Sequence, residues 1–198
     1  RQMCIRDRSS KLNRVNPYSK CKIYIEDLLH DLSLSDNSWN IVILRYSNTI
    51  GMDPSGLIDG YVPKEPNNLS SAIMAFYANK INKIKLFGND FDTKDGTCER
   101  DYIHITDVAK ANLESIKYVN KINIEKPLLL NISSGKVYSV FEVMQEFENI
   151  FDRVINYEIM PHRPSDVSCS YSDNSNAKKI IGWEPESSLN DIVKSFMR

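Results

Sequence analysis

Asn40-Ile41-Val42-Ile43-Leu44-Arg45-Tyr46 is a short, nearly continuous apolar run rich in β-branched residues. A strand with one wet face alternates apolar and polar side chains, whereas a run like this belongs to a parallel strand covered on both faces. Covering both faces takes helices, and the flanking sequence supplies them. Upstream, Tyr18, Cys21, Ile25, Leu28, Leu29 and Leu32 recur at three- and four-residue steps, and Pro17 suits a first helical turn. Residues 17–34 therefore read as a helix. Downstream, residues 51–66 are rich in Gly, Pro, Asp and Asn and read as a loop. Loops of that length inside compact domains are usually functional.

The alternation continues to the end of the chain. Residues 68–82 carry a helical pattern, with Leu69, Ile73, Phe76 and Ile81 on one side. Residues 84–87 read as a strand leading into a polar loop over 88–99. An amphipathic helix follows over 106–119, with Thr106 as its N-cap. Residues 128–132 are a buried strand, and Ser139 caps a helix running to 151. Then come a strand over 154–159, a loop over 160–173 and short helices over 176–181 and 189–197. Strands alternating with helices predict an α/β fold.

Composition narrows the class. The 198 residues suffice for one domain with a real core. A formal net charge of -1 removes any electrostatic case for nucleic acid or an anionic membrane. An anion bound here must be held by a few placed basic residues. No stretch is apolar enough to span a bilayer. Cys4, Cys21, Cys98 and Cys169 lie far apart with no C-x-x-C pair, so neither a zinc site nor a disulfide framework is expected. A reducing, cytoplasmic setting fits. Met3-Cys4-Ile5-Arg6-Asp7-Arg8 resembles the translated read-through of a sequencing adapter and lacks the apolar core of a signal peptide. Residues 1–8 are accordingly expected to be a scar, the natural protein continuing upstream.

Tyr18 and Lys22 are the first candidates for chemistry. On a helix, i and i+4 share a face, so phenol and ammonium become neighbours. A cation beside a phenol favours the phenolate, a usable general base. The spacing alone is common, and an amphipathic helix with a solvated lysine is the competing reading.

Further segments follow in a set order: Asn16-Pro17-Tyr18-Ser19-Lys20-Cys21-Lys22, Arg45-Tyr46-Ser47-Asn48, Pro54-Ser55-Gly56, Pro66-Asn67-Asn68-Leu69 and Phe87-Gly88-Asn89-Asp90. Then come Asp95-Gly96-Thr97-Cys98-Glu99-Arg100-Asp101-Tyr102-Ile103-His104, Arg163-Pro164-Ser165-Asp166 and Gly182-Trp183. In this order and spacing the chain resembles the UDP-galactose 4-epimerases of the extended short-chain dehydrogenase/reductase family. The likeness runs from Asn16 to Trp183, and the G-N-D, D-G-T and R-D-Y-I-H segment is its most specific part.

The resemblance implies the C-terminal half of a Rossmann-type parallel sheet plus a smaller α/β substrate-binding domain. Residues 9–66 would end the NAD-binding domain and residues 67–198 would form mainly the UDP-sugar-binding region. It implies an isomerase interconverting UDP-glucose and UDP-galactose through transient NAD-dependent oxidation at sugar C4, and a homodimer. Tyr18 would take the 4-hydroxyl proton, Lys22 would bind the nicotinamide ribose and tune Tyr18, and Tyr46 would pack near the nicotinamide. Asn48, Asn68 and Leu69 would line the UDP-sugar. Arg100 and Arg163 would hold the diphosphate, since guanidinium forks match phosphate oxygens. Asp166 would accept from ribose hydroxyls, and Phe87 would contact uracil.

Plainer readings stand beside these. Arg100-Asp101 can be a surface ion pair, Asn67-Asn68 can simply start a helix, and residues 90–99 can be a solvated loop. His104, in an alternating run, reads as a packed histidine, while His162 lies beside Arg163 and can approach the phosphates. There are departures from the family pattern too. The family's R-Y-F-N-P is Arg45-Tyr46-Ser47-Asn48-Thr49 here, and the first of its two loop arginines is His162. Ser170 borders the sugar's 2-substituent in the family, and a serine leaves room for an N-acetyl group. None of the seven glycines forms a G-x-x-G-x-x-G or G-x-G-x-x-G turn. The stretch as it stands is therefore expected to hold half an active site, without retention of NAD or turnover. Other readings stay open: a different NAD-dependent nucleotide-sugar epimerase, dehydratase or decarboxylase, or a non-catalytic sugar-nucleotide sensor.

Overall fold

A computed structural model describes residues 5–6, 17–58, 65–164 and 166–197. The first half holds β1 (Ile5–Arg6), α1 (Pro17–Ser35), β2 (Val42–Tyr46), β3 (Asn48–Ile50), α2 (Leu69–Tyr77) and β4 (Ile84–Phe87). Next come β5 (Glu99–His104), α3 (Ile105–Val119), β6 (Leu128–Ile132), β7 (Val137–Ser139) and α4 (Val140–Phe151). The chain finishes with β8 (Tyr157–Met160), β9 (Cys169–Ser172), α5 (Ser175–Ile181) and α6 (Leu189–Lys194).

The predicted apolar run is a parallel strand: β2 pairs with β6, from Val42 against Leu128 to Tyr46 against Ile132. Ser47 adds one more rung, its N–H donating to the Ile132 carbonyl at 3.0 Å. The chain then changes partner, and β3 pairs in parallel with β5. The largest sheet runs β1-β9-β5-β3, with antiparallel β7 also on β5, and among the described residues β4 and β8 form a separate two-stranded pair. Both the β2–β6 and β3–β5 ladders cross residue 66, so the segments before and after it share hydrogen-bonded sheets.

β5 feeds two cores. Tyr102 enters one with Ile73, Phe76, Ile84, Val143 and Phe147. Ile103, on the opposite face, enters the other with Ala111, Leu130, Ile132, Ala177 and Trp183, against which Val42 and Leu44 pack. The Trp183 indole N–H donates to the Asp107 carbonyl at 3.0 Å, tying the chain after α5 to the start of α3.

Several boundaries differ from expectation. Thr106 is not the N-cap of α3. His104 is, its Nδ1 accepting the Thr106 N–H at 3.1 Å, so the helix begins at Ile105. α2 ends at Tyr77, short of the predicted 82, because Asn79 turns to φ 55. The predicted 154–159 strand is β8, starting at Tyr157, and the predicted 160–173 loop contains β9. β3 and β7 carry no apolar run to announce them. Of the expected scar, only Ile5 and Arg6 are described, as a strand opposite Tyr171 and Ser172. Residues 59–64 of the predicted loop also lie outside the described residues.

Phe147 has none of its surface exposed and lies 5.5 Å from Phe196 and 5.9 Å from Phe151, centroid to centroid. Phe147→Ala should cost roughly 3–5 kcal/mol, read as a lower denaturant midpoint. An unchanged midpoint would mean that these rings do not form the core.

Candidate functional site

Tyr18, Lys22 and Glu26 stand at i, i+4 and i+8 on α1, hence on one face. The Lys22 ammonium lies 5.3 Å from the centre of the Tyr18 ring. Tyr18 is 72% exposed. Glu26 anchors the face: Arg45 of β2 grips it with two parallel bonds, Nε to Oε1 at 2.8 Å and Nη2 to Oε2 at 2.5 Å. Such a fork fixes direction as well as distance. The 18-22-26 spacing was the available signal for Glu26, and the sequence reading missed it. At the end of β2, the Tyr46 hydroxyl donates to Asn112 Oδ1 at 3.0 Å. Asn48 opens β3 as an exposed residue in register with Tyr102.

A second group gathers on β4, β5 and β9. Arg100 faces Tyr138 across one ladder and Ser170 across the other. Its Nη1 donates to its neighbour's carbonyl at Glu99 (2.8 Å) and to that of Ser168 (3.4 Å). Arg163 lies with its guanidinium 4.6 Å from the Phe87 ring centre, a cation–π contact covering one face of that ring. Its Nε also donates to Asp166 Oδ2 at 3.1 Å. Cys98 sits within the field of these groups. Burial pushes its thiol up, while the Arg100 guanidinium pulls the other way.

The remaining predicted residues serve the frame. Asn68 is the N-cap of α2: its Oδ1 accepts the Ser71 N–H at 2.8 Å, the helix-start reading of that residue. Leu69 packs against the first core. Asp95 of D-G-T accepts from the Thr97 N–H (2.9 Å), the Thr97 hydroxyl (2.7 Å) and the Ser139 hydroxyl. Burial raises that carboxyl, yet these donors outweigh it and hold it below its ordinary value. Gly96 sits at φ 80, where a Cβ would lie 2.2 Å from the Asn89 carbonyl oxygen. His104 is packed, as expected, and burial lowers its pKa.

A cleft of about 340 Å³, with Tyr102, Tyr138, Lys136, Lys178, Glu184 and Glu186 in its wall, includes none of the predicted site residues. Lys178 is already paired with Glu184 and Glu186 with Lys110. The unspent chemistry lies on the arginine group instead. Among the described residues, no cluster of His, Cys, Asp and Glu could hold a metal ion.

Residues 5–145 match the sequence profile of the NAD dependent epimerase/dehydratase family. The chain belongs to that family. Among its relatives, the UDP-glucose 4-epimerase of Bifidobacterium longum subsp. longum is 38% identical over 183 residues, 92% of this chain and 53% of that protein. A UDP-glucose 4-epimerase structure from Stenotrophomonas maltophila, with bound NAD and formylated UDP-arabinopyranose, aligns with TM-score 0.92 at 31% identity. It covers 98% of this chain and 57% of its own. A Bifidobacterium longum UDP-glucose 4-epimerase structure in complex with NAD+ and UDP gives TM-score 0.88 at 33% identity, with the same coverage of 98% and 57%. The chain spans about half the length of the curated relatives it matches. Within this NAD dependent epimerase/dehydratase fold, the α/β reading with parallel sheets holds.

Cys21 is exposed and Cys98 buried. Because burial raises the Cys98 thiol, little thiolate forms near neutral pH. Brief labelling with a thiol reagent at pH 8, read by peptide mass spectrometry, should modify Cys21 and leave Cys98 unlabelled until denaturant is added. Equal labelling of both in the native state would contradict the burial of Cys98.

Proposed function

We propose that this chain is the C-terminal part of an NAD-dependent isomerase that interconverts UDP-glucose and UDP-galactose. The observation that carries the reading is a Tyr-x-x-x-Lys helix face on the same fold as a cradle of two arginines and an aromatic ring. That combination suits a nucleotide diphosphate joined to a sugar that must lose a hydroxyl proton. The relatives' names point the same way.

The residues present fit one end of NAD. Lys22 offers ammonium donors to the nicotinamide ribose, and half-exposed Tyr46 offers a flat surface at the strand end, where α/β sheets place ligands. The family's Gly-rich phosphate turn is not among these residues. When bound, NAD supplies the hydride acceptor for sugar C4.

The chain's own groups do the rest. Tyr18 takes up the 4-hydroxyl proton and returns it to the product, with Lys22 beside it on the same helix face. Arg100 and Arg163 neutralise the diphosphate, which a chain of net charge -1 could not hold by a diffuse field. Phe87 takes the uracil on the face that Arg163 leaves open, Asp166 accepts from ribose hydroxyls, and Asn48 lines the sugar side, with Asn68 and Leu69 at its edge while still serving as helix cap and core contact. Ser170, beside Arg100, leaves room for an N-acetyl group at C2, so N-acetylhexosamine nucleotides are substrates as well. A homodimer through α1 accounts for the exposure of Tyr24, Ile25 and Leu28.

The test is interconversion of UDP-galactose and UDP-glucose by the protein together with its Gly-rich NAD-binding part, with no added oxidant. UDP binding without conversion would favour a non-catalytic sensor, and loss of water from the sugar a dehydratase. Tyr18→Phe should lower kcat by roughly 10²–10⁴ and leave UDP affinity unchanged. Undiminished kcat would remove Tyr18 from the chemistry. Ser170→Tyr should abolish turnover of the N-acetylated substrate and spare UDP-galactose. A parallel fall in both would end the gating idea.

A further inference from the structure

Arg163 is held in place by more than Phe87 and Asp166. Gly88, the residue after β4, donates its N–H to the Met160 carbonyl at 2.8 Å and so extends the β4–β8 ladder by one rung. It sits at φ 81, and a Cβ there would lie 2.5 Å from the Phe91 ring and 2.8 Å from His162 Cβ. Phe91 and His162 are thus both packed onto one bare Cα, with ring centroids 5.6 Å apart. The third contact is electrostatic: His162 Nδ1 lies 3.5 Å from Asp90 Oδ1. Gly88, Asp90 and Phe91 form a ledge after β4, and His162 is clasped on it one residue before Arg163.

The charged groups set against His162 are Asp90, across the clasp, and Arg163, on its own segment. Arg163 is itself engaged by Phe87 and Asp166. The two effects of an imidazolium here have the same sign. It strengthens the pair with Asp90, which fixes the segment, and it adds positive charge beside the arginine that faces the diphosphate. Histidine is the side chain whose ordinary charge change falls between pH 5 and 8.

We propose that His162 is a positioning residue for Arg163, acting through Asp90 and Phe91, and that its protonation tightens binding of the nucleotide diphosphate. This rests on the UDP-sugar reading above. The pair is exposed, so the effect is modest.

The experiment is calorimetric titration with UDP-glucose at pH 5.5 and 8.0 in a Tyr18→Phe background, which blocks turnover. Both phosphates of UDP-glucose are esterified and stay ionised over this range, so the ligand does not titrate. Affinity should rise roughly two- to fivefold at the lower pH, the range expected of an exposed ion pair. His162→Gln should bind weakly at both pH values, and His162→Arg should restore tight binding at both. Asp90→Asn should weaken binding and flatten the response.

A pH response that survives in His162→Gln would overturn the assignment. Tighter binding by Asp90→Asn would also overturn it, since His162 would then act on the phosphates directly and the clasp would only hold it back. If UDP-glucose binds at neither pH, the UDP-sugar reading itself fails. If it binds without a response due to His162, only the present inference does.

Discussion

The carboxylate of Asp101 lies in the middle of β5 with 2% of its surface exposed, and a charge so placed costs several kcal/mol unless hydrogen bonds replace water. Three donors converge on it: the Ser134 N–H at 2.9 Å, the Ser134 hydroxyl at 2.8 Å and the Gly135 N–H at 3.0 Å. Burial raises its pKa, and these donors work against that rise. In return Asp101 holds the turn between β6 and β7, and that turn sets β7 against Arg100. The same strand sends Tyr102 into one core and Ile103 into the other, and ends with His104 capping α3. Arg100 owes its fixed position between Tyr138 and Ser170 to this arrangement.

That strand also shows where the sequence stops being legible. Glu99-Arg100-Asp101-Tyr102-Ile103-His104 has no apolar run, because two of its four buried side chains are polar: Asp101 is satisfied by Ser134 and Gly135 far along the chain, and His104 by Thr106 two residues on. Periodicity measures only apolar burial, so it finds β2 and β6 and is silent on β5 and β9. The same blindness misplaced the cap of α3. Threonine is an ordinary capping residue and histidine is not, and only the folded position of the His104 ring shows which one does the work. The long helix α4 was visible because its burial is one-sided and repeats, whereas the apolar pattern that announced α1 is largely exposed, at Tyr18, Cys21, Ile25 and Leu28.

The candidate site was legible in a different way. Tyr18 and Lys22 follow from helical spacing alone, and the structure brings them into contact. The pairing of Arg163 with Phe87 and the register of Arg100 with Ser170 join residues 76 and 70 positions apart, which no local pattern encodes. Those residues came from the family likeness, and their contacts from the fold. Asp95, Gly96 and Asn68 belong to the same likeness, yet their polar atoms or backbone are spent on caps and tight turns. A motif specific to a family is thus in part a motif for building its frame, and the groups left with unused donors are the better candidates for binding.

The two parts of the site sit on different supports, and a single residue step joins them. β2 belongs to the ladder with β6, β3 to the ladder with β5, and Ser47 is the only residue between. Tyr46 and Asn48 flank that step, so the side chains proposed for cofactor and sugar are forced to be neighbours whatever else moves. Upstream, the Arg45–Glu26 fork fixes the Tyr18–Lys22 face to the first ladder; downstream, Asn48 lies opposite Tyr102, two residues from Arg100 on the second. The distance from the Tyr18–Lys22 face to Arg100 is therefore set by backbone hydrogen bonds and one bidentate ion pair. Backbone ladders tolerate little displacement, so what freedom exists around Arg100 lies in side chains off the ladders, on the segment carrying His162 and Arg163.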